Sequence, residues 1–99
     1  MLSDDCVYHN IPVDPVVGIE AIREFVKNFA AGVESVTFAT NAIAANGSTV
    51  LTERVDTFLY PGGKRIDLPV MGTFEVDGDG KISAWRDYFD LNQFMSQMG

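Results

Sequence analysis

The sequence predicts an α+β fold: a curved antiparallel sheet, made of a four-stranded meander plus a short N-terminal strand, packed with one amphipathic helix and a short C-terminal helix. Three observations predict it. Apolar, β-branched runs at about 34–45, 49–60, 64–76 and 81–89 are separated by short turn signals. Residues 18–32, GIEAIREFVKNFAAG, carry a helical stripe instead. The connections are too short for the crossovers that parallel strands require.

The elements follow in order. DDCVYHNIPV reads as an extended segment that stops in the region of Pro12 and Pro15. In the next stretch Ile19, Ile22, Phe25, Val26 and Phe29 recur at helical spacing, with Glu20, Arg23, Glu24 and Lys27 off the stripe and Gly32 as the expected C-cap. Asn46-Gly47 suits a type I′ hairpin turn; Pro61-Gly62-Gly63 and Asp77-Gly78-Asp79-Gly80 punctuate the later strands. The tail, LNQFMSQM, suits a short last helix. One helix and this tail are too little to close the concave side of a curved sheet, so either the pocket is open or a second subunit covers the other face.

The 99 residues suffice for one domain, residues 1–99, which at this size buries roughly 60–70% of its unfolded surface. Net charge is −7, and the seven Lys and Arg are scattered singly. Nucleic acid calls for a basic patch, and anionic lipid repels an acidic surface, so neither is an expected partner. A neutral small molecule is easier to accommodate. The single cysteine, Cys6, excludes an internal disulfide and suits a reducing, cytoplasmic setting. MLSDDCVYHN has acids where a signal peptide has a basic region, and no run approaches a membrane span.

The candidate chemistry begins with LTERVDTFLY. Arg54 and Asp56, two apart, share a strand face with Val50, Thr52 and Phe58. On spacing alone the pair is either an ordinary surface ion pair or part of an interior wall. In ISAWRDYFD, Asp87 shares a face with Trp85 and Phe89, and a carboxylate between bulky aromatics is desolvated in a way that favours its neutral form. The plainer reading of Asp87 is a structural anchor for Arg54. A strand lies between the two segments, but a curled sheet and the length of Arg54 span that gap. Two carboxylates sharing one guanidinium carry −1 in total, and one retained proton makes one an acid and the other a base. Paired carboxylates also serve glycosidases.

Tyr8 and Asn10 are likewise two apart, and a phenol with an amide can orient one water. His9, the only histidine, points the other way, and with Cys6 it makes no zinc site. Gly62-Gly63-Lys64, the Asp-Gly-Asp-Gly run and Asn46-Gly47-Ser48 are turns rather than a phosphate loop, a calcium loop or a glycosylation site. No metal or other cofactor is called for. Strand parity sends Phe58, Ile66, Leu68, Val70 and Phe74 to one side, and Phe25 and Phe29 come from the helix; together they suggest an apolar, substrate-binding cavity.

Tyr-x-Asn in YHNIP, Arg-x-Asp in LTERVD and the Asp of AWRDYFD occur in this order. Together they resemble the limonene-1,2-epoxide hydrolase family, within the small conical α+β domains like nuclear transport factor 2 and ketosteroid isomerase. The resemblance runs from Tyr8 to about Phe94. It implies that Asp56 is the general acid, Asp87 the base acting on water, and Arg54 the bridge, with Tyr8 and Asn10 holding the water. It also implies a cofactor-free, one-step conversion of a small lipophilic, terpene-like epoxide to a vicinal diol, and a homodimer formed through the outer face of the sheet. Family members usually begin with two further helices before the Tyr-x-Asn segment, whereas this chain starts almost at it. Two alternatives stand beside that reading: an isomerase or cyclase acting next to a carbonyl, and a non-catalytic lipophile-binding domain.

Overall fold

In a computed structural model describing residues 1–98, the chain forms one six-stranded sheet and two helices. In sequence order these are β1 (Leu2–Asn10), β2 (Val16–Val17), α1 (Ile19–Ala30), β3 (Ser35–Asn46), β4 (Thr49–Tyr60), β5 (Lys64–Val76), β6 (Ile82–Tyr88) and α2 (Leu91–Met98). The strand order is β2-β1-β6-β5-β4-β3. The expected meander is β3 to β6, antiparallel throughout. The N-terminal strand adds to β6 in parallel, and β2, which the sequence did not signal, folds back antiparallel on β1.

Turn chemistry sets the registers. Asn46 pairs with Thr49, so Gly47 and Ser48 form the first hairpin loop. Gly47 has φ +61°, but among the described residues none other than glycine takes positive φ. A type I′ turn needs positive φ at both central positions, so the expected I′ turn is not what forms. Asp77 closes the last hairpin by accepting from the backbone N–H of Asp79 and of Lys81 at 2.9 and 3.0 Å, an Asx turn rather than a cation loop. Pro69 is tolerated because β6 ends opposite Met71, leaving β5 a partner on one side only at that point.

Helix α1 starts at Gly18 and ends at Ala31, whose N–H bonds to the Lys27 carbonyl in a right-handed conformation. The expected glycine cap at Gly32 is therefore not used: the last turn closes one residue earlier without left-handed backbone. Ile22 is the only buried residue of α1. Phe25, Val26 and Phe29 remain more than a third exposed although they lie on the apolar stripe. The helix thus roofs the concave face without pressing onto it. The packed core lies at one end of that face, where Phe58, Ile66, Leu68 and Val70 cluster against Val33, Tyr60, Phe89 and Phe94.

Ile66 is fully buried in that cluster. Ile66→Ala is expected to cost about 2–5 kcal/mol in urea denaturation with an unchanged slope. A loss below about 1 kcal/mol would show that the cluster repacks freely.

Candidate active site

Strand alternation on β4 turns Thr52, Arg54, Asp56 and Phe58 inward, and none is more than 8% exposed. An arginine this buried must place every N–H, because an unpaired buried donor costs about 1–3 kcal/mol. Arg54 places all five. Its Nε donates to Asp56 Oδ1 at 3.0 Å and its Nη2 to Asp56 Oδ2 at 2.9 Å. Nη1 and Nη2 donate to Asp87 Oδ1 and Oδ2 at 3.1 and 3.0 Å. The remaining Nη1 proton faces the Thr52 hydroxyl at 3.5 Å. Two carboxylates are therefore each gripped in a fork, on adjoining edges of one planar group. Burial works against the Arg54 charge; the bonds to Asp56 and Asp87 more than offset it, and the guanidinium is held above its ordinary value.

The two carboxylates come from strands that do not touch. Between β4 and β6 runs β5, and on one rung Thr52, Gly72 and Asp87 stand side by side. The middle member has no side chain, so the Arg54 head passes over β5 and reaches Asp87. Asp87 is fixed a second time by the Trp85 indole, whose Nε1 donates to Oδ1 at 2.8 Å. Trp85 is itself held between Tyr8 and Phe74, at centroid distances of 4.9 and 5.1 Å.

Tyr8 and Asn10 reach the site through the parallel pairing of β1 with β6. Tyr8 is level with Trp85, and Asn10 with Asp87. Phe25 of α1 packs edge-on to Tyr8 at 5.9 Å. Burial pushes the Tyr8 phenol up, the Asn10 side chain draws it back, and the Asp87 carboxylate adds to the rise. Tyr8 thus stays a neutral hydrogen-bond donor at neutral pH.

These groups open onto a cavity of about 480 Å³ beneath α1. Asp56, Asp87, Tyr8 and Asn10 supply its polar corner. Phe25 and Phe29 from the helix, Phe58 from β4, and Leu68 and Val70 from β5 line the remainder, as parity suggested. Arg54 does not line it: the guanidinium sits behind the carboxylates, shielded on one side by the Phe38 ring at 5.1 Å. Ile66 and Phe74 share the strand face but not the cavity wall; Ile66 belongs to the core and Phe74 to the Trp85 stack. Among the described residues no group of three or more His, Cys, Asp or Glu is placed to hold a metal ion.

Several residues of the site escaped the sequence. Phe38 and Phe94 line the cavity from the edge strand and the last helix. Trp85 was visible as an aromatic neighbour of Asp87 but not as its donor. Gly72 carried the one usable signal, a lone glycine inside a strand, which marks close approach by another group.

Comparison with known proteins shows the family. The family model described as the limonene-1,2-epoxide hydrolase catalytic domain matches residues 1–99. The chain is 38% identical over 90 residues to epoxide hydrolase EphG of Mycobacterium tuberculosis (strain ATCC 25618 / H37Rv), covering 91% of this chain and 58% of that relative's length. The structure of an M. tuberculosis limonene-epoxide-hydrolase-like (LEH-like) epoxide hydrolase superposes with a TM-score of 0.83 at 35% identity, over 97% of this chain and 70% of that one. A Catenulispora acidiphila protein of ketosteroid isomerase-like fold superposes with a TM-score of 0.85 at 20% identity, over 97% of this chain and 75% of that one, which speaks for the fold alone.

Removing the guanidinium leaves two buried carboxylates facing each other. Arg54→Met is expected to lose about 3–5 kcal/mol of stability at neutral pH. Urea denaturation of Arg54→Met beside Arg54→Met/Asp87→Asn checks it: the second variant, with one buried acid fewer, should recover part of the loss, and no recovery would mean that packing, not charge, is what Arg54 supplies.

Proposed function

The chain belongs to the limonene-1,2-epoxide hydrolase family, and on that premise we propose that it hydrolyses a small lipophilic epoxide to a vicinal diol. The observation that carries the proposal is the Asp56–Arg54–Asp87 unit at the polar corner of an otherwise apolar cavity.

Arg54 and two carboxylates sum to −1, and a single bound proton makes the buried unit neutral. In the proposed reaction Asp56 carries that proton and Asp87 does not. Water, oriented by Asp87, Tyr8 and Asn10, attacks one epoxide carbon and gives a proton to Asp87. The carbon–oxygen bond breaks as Asp56 protonates the leaving oxygen. Ring strain makes this protonation and attack effective in one step, without an enzyme ester. The unit ends with the same proton count, moved from Asp56 to Asp87, and transfer of one proton resets it. Arg54 stabilises each carboxylate in turn without touching substrate.

The hydrocarbon lining supports a neutral, terpene-like epoxide; apart from the corner it offers no charged group to bind a carboxylate or phosphate. An isomerase or cyclase acting next to a carbonyl needs an isolated base, and here both carboxylates are tied to one cation. A lipophile-binding domain would keep the cavity without a use for the unit. No described helix is long and apolar enough to cross a membrane. A second copy on the outer face of the sheet, where Leu51, Leu59, Met71 and Tyr88 are exposed, and a reducing cytoplasmic setting for the free Cys6 complete the proposal.

Chiral gas chromatography of limonene-1,2-epoxide incubated with the protein tests it. Diol is expected from the wild type, with the rate at least about 10²-fold lower in Asp87→Asn and in Asp56→Asn. Equal rates in wild type and variants would remove both residues from the chemistry. Cavity binding without diol from any of them would favour the lipophile-binding reading.

A further inference from the structure

We propose that Gly72 is a positioning residue of the site: its missing side chain is the passage through which Arg54 crosses β5 to hold Asp87. The observation is steric. A Cβ at position 72 would lie 2.5 Å from Arg54 Nη1, 2.8 Å from Thr52 Oγ1 and 3.0 Å from Asp87 Oδ1. Gly72 has no positive φ, so backbone conformation does not ask for glycine. Space alone does.

A clash with the far end of an arginine is ordinarily relieved by a small swing of the side chain. Here that swing is what the site forbids. Nη1 is bonded to Asp87 and faces Thr52, while Nε and Nη2 are bonded to Asp56 and Nη2 again to Asp87. Nη1, the atom the methyl meets, bonds Asp87 and not Asp56, so moving it away from β5 loosens the hold on Asp87 first. The Thr52 hydroxyl, which also donates to the Gly72 carbonyl at 3.5 Å, is met by the same methyl at 2.8 Å. A methyl at 72 therefore separates base from guanidinium selectively. The apolar cavity wall lies elsewhere, on Phe25, Phe29, Phe58, Leu68 and Val70. A misplacement approaching 1 Å costs on the order of 10²-fold in rate.

The kinetic part of the test rests on epoxide hydrolysis; the spectroscopic part does not. Gly72→Ala is compared with Gly78→Ala, where an added Cβ meets nothing within 4 Å. In ¹⁵N–¹H spectra of the wild type and of Gly78→Ala, the Arg54 guanidinium should show slowly exchanging Nε–H and resolved Nη–H resonances. In Gly72→Ala the Nη resonances should average and exchange faster. With an epoxide substrate, kcat of Gly72→Ala should fall at least tenfold with KM within about twofold, while Gly78→Ala stays at the wild-type level. Unchanged Arg54 resonances in Gly72→Ala would overturn the proposal, as would a fall in binding rather than in kcat. A wild type without hydrolase activity would sink the proposed reaction and leave the spectra to decide the role of Gly72. If Gly72→Ala does not fold, the pair Gly72→Ala/Arg54→Ala decides. Against Arg54→Ala alone, a pair of equal stability supports the passage, and a pair destabilised further refutes it.

Discussion

The structure is organised around one buried cation. Arg54 spends five N–H donors on Asp56, Asp87 and Thr52, at a point where it is 4% exposed. Taking an arginine and two acidic partners out of water is costly, and a well-packed apolar trio is often as stable or more so. Stability is therefore a poor explanation for the arrangement. What it supplies is fixed geometry: two carboxylates held in one plane of reference, on strands whose only link at this level is a glycine.

The sheet meets the demands of that geometry one strand at a time. β4 contributes by alternation, turning Thr52, Arg54, Asp56 and Phe58 to the same side. β5 contributes by absence at Gly72 and by apolar bulk at Leu68 and Val70. β6 brings Asp87 together with the indole that fixes it, and β1, added in parallel, brings Tyr8 and Asn10 level with them. The aromatic roof completes the site from above. Because only Ile22 of α1 is buried, the helix's phenylalanines line a cavity instead of filling a core. Electrostatic interactions inside such a lining are stronger than in water, so the position of each proton matters more.

Much of this was legible in the sequence, and the boundary is physical. Period-two patterning and glycine-rich turns located β3 to β6 to within a residue or so, and parity put Phe58, Leu68 and Val70 on the cavity side. The Arg54–Asp56 pairing follows from adjacent inward positions on one strand. What periodicity lacks is information across strands. The parallel addition of β1 to β6, which sets Asn10 beside Asp87, has no local signature. Nor has the rung that places Gly72 between Thr52 and Asp87. The short pairing of Val16–Val17 was missed because two residues carry no period. The C-cap at Ala31 differs from expectation because a glycine, here Gly32, permits left-handed backbone without requiring it; the Gly47-Ser48 loop differs because Gly47 takes positive φ and Ser48 does not.

The fold itself leaves the chemistry open, since a protein of ketosteroid isomerase-like fold superposes as well as an epoxide hydrolase does. In the proposed reaction Asp87 activates water and never bonds to substrate. A single turnover in H₂¹⁸O, with excess protein over epoxide, tests it most directly. One ¹⁸O is expected in the diol from the first turnover and none in peptides containing Asp56 or Asp87. Unlabelled diol with ¹⁸O in either carboxylate would show a covalent ester intermediate and contradict it.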